Sequence, residues 1–196
     1  MQNIDEITRY LKENLSEKRF NHTKGVAETA KSLAKRWGAD AQKAFLAGLV
    51  HDCAKEVPFS KTVEFLEKSG HTLSDAERNS PGILHAPLGA VFAEEIFGIK
   101  DKEVLDAVRF HTTGRVGMTL IEKIIYIADF IEPGRMYKEA EWVRELSQND
   151  IDKAVLKEAE FVINYNLEKG RTIHPDTINV RDYFLTLTNE GQLNES

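Results

Sequence analysis

The sequence predicts an all-α protein folded as a single compact helical bundle. Apolar residues recur at helical spacing along nearly the whole chain. Cap and stop residues fall at the ends of those stretches. No alternating β-branched run of strand length stands out.

Ile4, Ile7, Leu11 and Leu15 share one face and predict a first helix over 4–15. A second is expected over 21–37, ended by Gly38, and a third over 39–52. Ser60 is expected to cap a helix over 61–69 that Gly70 closes. Ser74 with Glu77, and Thr119 with Glu122, have capping-box spacing. Pro87 suits the first turn of a helix over 86–97. Asp101 opens the helix that carries His111, and Pro133-Gly134 stops the one that carries Asp129. The mixed-charge run 138–145 reads as a solvated helical face. A long helix over 150–168 ends at Gly170, and a last one covers 177–188. With no repeat and no flexible linker, one domain is expected over 1–190, followed by a disordered tail over 191–196.

The chain has 196 residues, 41% hydrophobic and 30% charged, as expected of a soluble globular domain. A net charge of -6 argues against a general nucleic-acid binder but not against a small phosphorylated substrate. The only cysteine, Cys53, reads as a small buried residue and excludes an intrachain disulfide. Residues 1–14 have no signal-peptide core, and no apolar run approaches the ~20 residues of a membrane span. The expectation is a cytoplasmic protein with no membrane partner.

Six polar residues stand at or directly beside positions where core residues belong. Ile121, Ile125 and Asp129 stand at i, i+4 and i+8. His111 follows Val104 and Val108, His51 follows Ala44, Ala47 and Gly48, and His22 leads Val26, Ala30 and Leu33. Asp52 adjoins His51, and His85 leads Leu88, Gly89 and Phe92. A lone buried carboxylate costs several kcal/mol unless it is paired or binds a metal. Several inward groups of ligand type on separate helices point to a shared cation. Imidazole and carboxylate without thiolate suit iron, manganese or zinc, whereas a calcium cage would be all oxygen. Adjacent helical residues diverge by about 100°, so His51 and Asp52 reach one ion only near a helix end. His71, in a loop, reads as a surface residue, and His174, taken alone, as a turn histidine. Trp37 and Trp142 read as packing residues.

The order His22, His51-Asp52, Asp129 resembles the HD-domain metal-dependent phosphohydrolases. Longer words carry the resemblance further: Arg19-Phe20-Asn21-His22-Thr23, Gly48 through Lys55, His111-Thr112-Thr113-Gly114, and Ala128 through Arg135. Together with His85 they look like the bacterial YqeK family of symmetrical dinucleoside-tetraphosphatases. The resemblance implies an HD-domain bundle with a metal site in its core. It implies hydrolysis of diadenosine tetraphosphate to two ADP, by attack of metal-bound hydroxide on an inner phosphate. It also implies an iron-type ion on His22, His51, Asp52 and Asp129, with His85 and His111 either contacting phosphates or holding a second ion. Asp52 is expected to orient or deprotonate the water, and His85 or His111 to protonate the leaving oxygen. Substrate contacts are expected from Gly25 (where a missing side chain admits substrate), Asp52, Lys55, His85, His111, Thr112, Asp129 and Arg135. A further wall is expected from Arg171, Thr172, Ile173, His174, Pro175 and Asp176. A homodimer is a family-based expectation. Three alternatives stay open: a nucleotidase or guanosine alarmone hydrolase, a non-catalytic nucleotide-binding regulator, and a purely structural metal site.

Overall fold

The computed structural model describes residues 3–193, with side chains up to residue 189. Among the described residues there is no strand. The helices, in order, are α1 (Ile4–Asn14), α2 (Glu17–Trp37), α3 (Ala41–Val50), α4 (Phe59–Lys68), α5 (Asp75–Arg78) and α6 (His85–Glu95). They continue as α7 (Lys102–Phe110), α8 (Leu120–Ile131), α9 (Lys138–Leu146), α10 (Ile151–Glu168) and α11 (Pro175–Leu193). A short 3-10 turn, Pro81–Ile83, leads into α6. No helix among the described residues is long and apolar enough to cross a membrane.

Helix α8 is the axis of the bundle and packs against α2, α3, α7, α9 and α10. Its Ile121, Ile124, Ile125, Ile127 and Ile131 are all buried, so it is apolar around most of its circumference, as a central helix must be. Its N-terminus carries the expected capping box: Thr119 Oγ1 accepts from Glu122 N, and Glu122 Oε2 accepts from Thr119 N. Helices α2 and α3 lie unusually close. A Cβ on Gly48 would stand 2.8 Å from Ala27 Cα, so glycine is what lets the two backbones approach. This contact sets His22, on α2, against His51, at the end of α3.

Several element boundaries differ from expectation. Helix α2 begins at Glu17 because Ser16 caps it, accepting from Arg19 N at 3.3 Å. No glutamate stands three residues on to signal that cap in the sequence. Helix α4 begins at Phe59, directly after Pro58, so Ser60 lies in its first turn and is not its cap. Helix α11 starts at Pro175, whose fixed φ suits a first helical position, and runs through Leu193. The tail expected over 191–196 therefore overlaps helix as far as Leu193, and residues 194–196 lie outside the described residues. His71 is half-buried and paired with Glu77 at 2.9 Å, so it is not a simple surface residue. Cys53 is buried as expected, and Trp37 donates to Ser147 O at 2.9 Å.

Gly48→Ala should lower the unfolding free energy by about 1–3 kcal/mol through overpacking at Ala27. Gly82→Ala, whose Cβ would meet open space, should stay within about 0.5 kcal/mol of the parent. Urea titrations of the two variants check this.

Candidate metal centre

The expected ligands come together, and most of them sit at helix ends. His51 is the C-cap of α3, and the chain leaves the helix in tight turns from there to residue 56. That is the geometry an adjacent His-Asp pair needs to face one point. His111 is the C-cap of α7, His85 opens α6 directly after the 3-10 turn, and Asp129 lies in the last turn of α8. His22 comes from α2.

Each histidine has one nitrogen committed outward. His51 Nδ1 donates to Gly48 O at 2.7 Å, His111 Nδ1 to Val108 O at 2.7 Å, and His85 Nδ1 to Gly82 O at 2.9 Å. His22 Nδ1 donates to the Glu132 carboxylate at 3.1 Å. Carbonyls and carboxylates only accept, so these bonds place the proton on Nδ1 and turn a bare Nε2 lone pair inward. Those lone pairs face carboxylate oxygens and one another. His22 Nε2 is 3.0 Å from Asp129 Oδ1 and 3.6 Å from Asp52 Oδ2. His51 Nε2 is 3.3 Å from Asp52 Oδ2, and His85 Nε2 is 3.2 Å from Asp52 Oδ1. His85 Nε2 and His111 Nε2 are 3.1 Å apart.

Acceptors facing acceptors repel unless a cation or extra protons stand between them. His22 Nε2, His51 Nε2 and Asp52 Oδ1 are buried without a hydrogen-bond partner. Ligand atoms of His22, His51 and Asp129 lie within 4.8 Å of one another, as do those of His51, Asp52 and His111. Nitrogen and oxygen donors with no thiolate fit a divalent metal of the iron, manganese or zinc type.

The protein's own electrostatics lean the same way. Burial opposes ionisation of Asp52, but the neighbouring His51, and after it His111 and His85, hold its carboxyl well below the usual range. Burial likewise opposes ionisation of Asp129, and His22 and His51 more than offset it, so this carboxyl too is held low. Burial, the largest single influence, would lower the His51 pKa, yet Asp52, Asp129 and the Gly48 carbonyl together outweigh it and raise the pKa. His85 goes the other way: burial, aided by His111 and Lys55, pushes it down to about 4.

Three cations ring the cluster. Arg19 Nη1 donates to Asp52 Oδ2 at 2.6 Å. Arg135 Nη2 donates to Asp129 Oδ1 at 2.9 Å, and its Nε to Asp129 O at 3.1 Å. Lys55 Nζ lies 3.1 Å from His85 Nε2, and burial lowers its pKa. Arg19, Lys55 and Arg135 balance Asp52, Asp129 and Glu132 in formal charge, so a divalent ion makes the centre net positive.

Two contributors were not assigned roles from sequence. Arg19 stands three residues before His22 on the same face of α2, a spacing visible in the sequence but silent without Asp52 as its partner. Glu132 stands three residues after Asp129 and is 5% exposed. Its second oxygen accepts from Gly134 N at 2.6 Å. Glu132 also fills the space beside Gly25 that was expected to admit substrate. A Cβ on Gly25 would lie 2.7 Å from Glu132 Oε2, and one on Gly134 2.8 Å from Oε1. Both glycines therefore make room for the carboxylate that orients His22. Thr112 is half-buried in the turn beside His111. Among the described residues the wall segment makes no hydrogen bond or ion pair with the ligands. Arg171, Thr172 and Pro175 are exposed, and Ile173, His174 and Asp176 are half-buried. Their contacts are local: His174 Nδ1 accepts from Asp176 N at 3.3 Å, and the Arg171 guanidinium lies 5.6 Å from the centre of the Tyr165 ring.

Glu132→Gln leaves an amide where either His22 Nδ1 or Gly134 N needs an acceptor. It should weaken Mn2+ binding roughly 10–100-fold in calorimetric titration; unchanged affinity would contradict the orienting role. The low His85 pKa has its own consequence. In the metal-free protein His85 should remain neutral between the ordinary value of 6.5 and about 4, where the unfolded chain takes up the proton. The stability contribution is thus full above pH 6.5 and lost as pH falls toward 4. Urea unfolding across that window should show a shallower slope for His85→Gln.

The HD domain family matches residues 19–134, which include every expected metal ligand. The symmetrical bis(5'-nucleosyl)-tetraphosphatase of Bacillus subtilis (strain 168) is 39% identical over 89% of this chain and 94% of its own. That of Halalkalibacterium halodurans is 44% identical over 86% of this chain and 89% of its own. A crystal structure from Clostridium acetobutylicum, described as a predicted HD superfamily hydrolase involved in NAD metabolism, aligns with a TM-score of 0.92. It is 44% identical and covers 95% of this chain and 98% of its own. With its His-Asp doublet at a helix end and its partners on the neighbouring helices, this chain belongs to the HD-domain family, in the group that includes the symmetrical bis(5'-nucleosyl)-tetraphosphatases.

Proposed function

We propose that this protein is a metal-dependent phosphohydrolase that cleaves diadenosine tetraphosphate, and related dinucleoside tetraphosphates, symmetrically to two ADP. The observation that carries the reading is the inward convergence of four imidazole lone pairs on Asp52 and Asp129, ringed by three cations. The names of the B. subtilis and H. halodurans relatives supply the substrate. His22, His51, Asp52 and Asp129 would hold the ion, for which iron is our choice. A bound ion of this kind supplies a Lewis acid for phosphoryl oxygens and acidifies a water.

The remaining chemistry belongs to the chain. Asp52, buried and ionised, orients the attacking water through the oxygen not engaged by Arg19. Arg19, Lys55 and Arg135 take up charge on the phosphate oxygens, Arg135 through a planar fork suited to them. Water adds to an inner phosphorus, the bond to the bridging oxygen breaks, and ADP leaves. His85, neutral at pH 7, is a poor proton donor, so with one ion bound His111 would take at Nε2 the proton that the attacking water gives up and pass it to the leaving oxygen. The same facing nitrogens of His85 and His111 are where a second ion would sit. A small anionic substrate, with no nucleic-acid or membrane partner, and a cytoplasmic setting complete the proposal.

Metal-loaded protein given diadenosine tetraphosphate should release ADP alone, resolved by chromatography. ATP with AMP would contradict symmetrical attack, and no cleavage would contradict the substrate. Asp52→Ala should abolish turnover while keeping the helical circular dichroism of the parent; normal turnover in that variant would remove Asp52 from the scheme.

A further inference from the structure

The turn that carries His111 is held from a side the metal cluster does not touch. Arg115, directly after Gly114, is half-buried between α7 and α8. Its Nη2 stands 2.7 Å from Glu122 Oε1 and donates to Asp106 Oδ2 at 3.3 Å. Its guanidinium carbon lies 4.6 Å from the centre of the Phe110 ring, a cation–π contact. Asp106 and Phe110 stand one turn apart at the end of α7, and Phe110 directly precedes His111. Glu122 belongs to the first turn of α8 and is 2% exposed. Its other oxygen closes the capping box by accepting from Thr119 N at 2.6 Å. Asp106 also pairs with Lys102, whereas Arg115 is the only cation that pairs with Glu122 among the described residues. One guanidinium thus ties the end of α7 to the start of α8 across residues 111–114. The turn is also packed against α11: Gly114 has a positive φ, and a Cβ there would stand 2.9 Å from Val180 Cγ2.

His111 needs such support more than the other histidines do. Its Nδ1–H bond to Val108 O fixes the ring relative to α7, not the end of α7 relative to the cluster. Its Nε2 lies 3.7 Å from Asp52 Oδ1 and 3.1 Å from His85 Nε2, and these acceptors do not draw it in. An ion on His22, His51, Asp52 and Asp129 would hold those four and leave His111 to the scaffold. We propose that Arg115 is a positioning residue: by clamping α7 to α8 it keeps His111 Nε2 within reach of Asp52 and of the leaving oxygen. The consequence for turnover rests on the proton-carrying role of His111 in the proposed function; the consequence for the geometry of His111 does not. A misplacement of about 1 Å can cost about 100-fold in rate. Lysine at 115 would keep the charge, but a single ammonium lacks the planar fork that meets two carboxylates and lies on a ring. With no cation at 115, Glu122 becomes a buried carboxylate without a counter-charge, which pulls the first turn of α8 toward water.

The test uses Arg115→Ala and the milder Arg115→Lys, each loaded with one equivalent of Zn2+ and labelled with 15N-histidine. In the parent, long-range 1H–15N spectra should show His111 in a single Nδ1–H form. In both variants the His111 signals should broaden or shift, while those of His22 and His51, which the ion holds, stay in place. With diadenosine tetraphosphate, kcat should fall about 10- to 100-fold with KM within about twofold of the parent. Millimolar guanidinium ion should restore part of the kcat of Arg115→Ala, and Arg115→Lys should recover thermal stability without recovering kcat. If the alanine variant does not fold, the lysine variant alone decides. A lowered melting temperature with unchanged His111 signals and unchanged kcat would make Arg115 a helix-pairing staple only and overturn the proposal. A rise in KM at constant kcat would also overturn it. Absence of turnover in the parent would instead remove the substrate reading, and the His111 spectra would still decide the role of Arg115.

Discussion

The structure depends on one electrostatic constraint: four imidazole lone pairs and two carboxylates, all acceptors, are turned toward the same small volume. The constraint arises from where the histidines sit. A helix leaves its last carbonyls without intrahelical donors. His51 and His111 satisfy one such carbonyl each, on Gly48 and Val108 three residues back, with Nδ1–H. His85 does the same toward Gly82 at the exit of the 3-10 turn. The bond that completes the helix end thus also selects the tautomer and aims the other nitrogen inward. His22 lies inside its helix, where its own carbonyls are occupied, so a side chain, Glu132, has to provide the same service.

The close approach of α2 and α3 at Gly48 and the burial of α8 follow from the same need. Ligands from five chain segments must be held within a few ångströms against their mutual repulsion, and only a rigid, densely packed frame does that. The three cations are arranged around the cluster and not within it. They moderate the carboxylate charge in the protein alone, and they face outward toward a polyanion once a cation is bound. A preorganised field of this kind is the main resource available for phosphoryl transfer, where there is little covalent work for side chains to do.

Much of this was legible in the sequence. The helices follow from apolar periodicity, and the ligands from polar residues that interrupt it, such as Asp129 in line with Ile121 and Ile125. The end-of-helix requirement for His51-Asp52 follows from helical geometry alone. Arg19 and Glu132 were not legible in the same way, because their roles exist only through contacts between elements, to Asp52 and His22. Gly25 illustrates the point: its small size was readable, but not that Glu132 is what fills the room. The helix boundaries that differ, at Ser16 and Pro58, turn on single caps that periodicity does not register.

The central claim is that this cluster exists to hold a cation. The most direct test is a crystal of the protein grown with Fe2+ or Mn2+, with diffraction recorded on both sides of the metal's absorption edge. The account predicts an anomalous peak within coordination distance of His22 Nε2, His51 Nε2, Asp52 and Asp129, with the four Nδ1–H bonds intact. A peak elsewhere, or none at full metal exposure with the histidines rotated to bond one another, would contradict it.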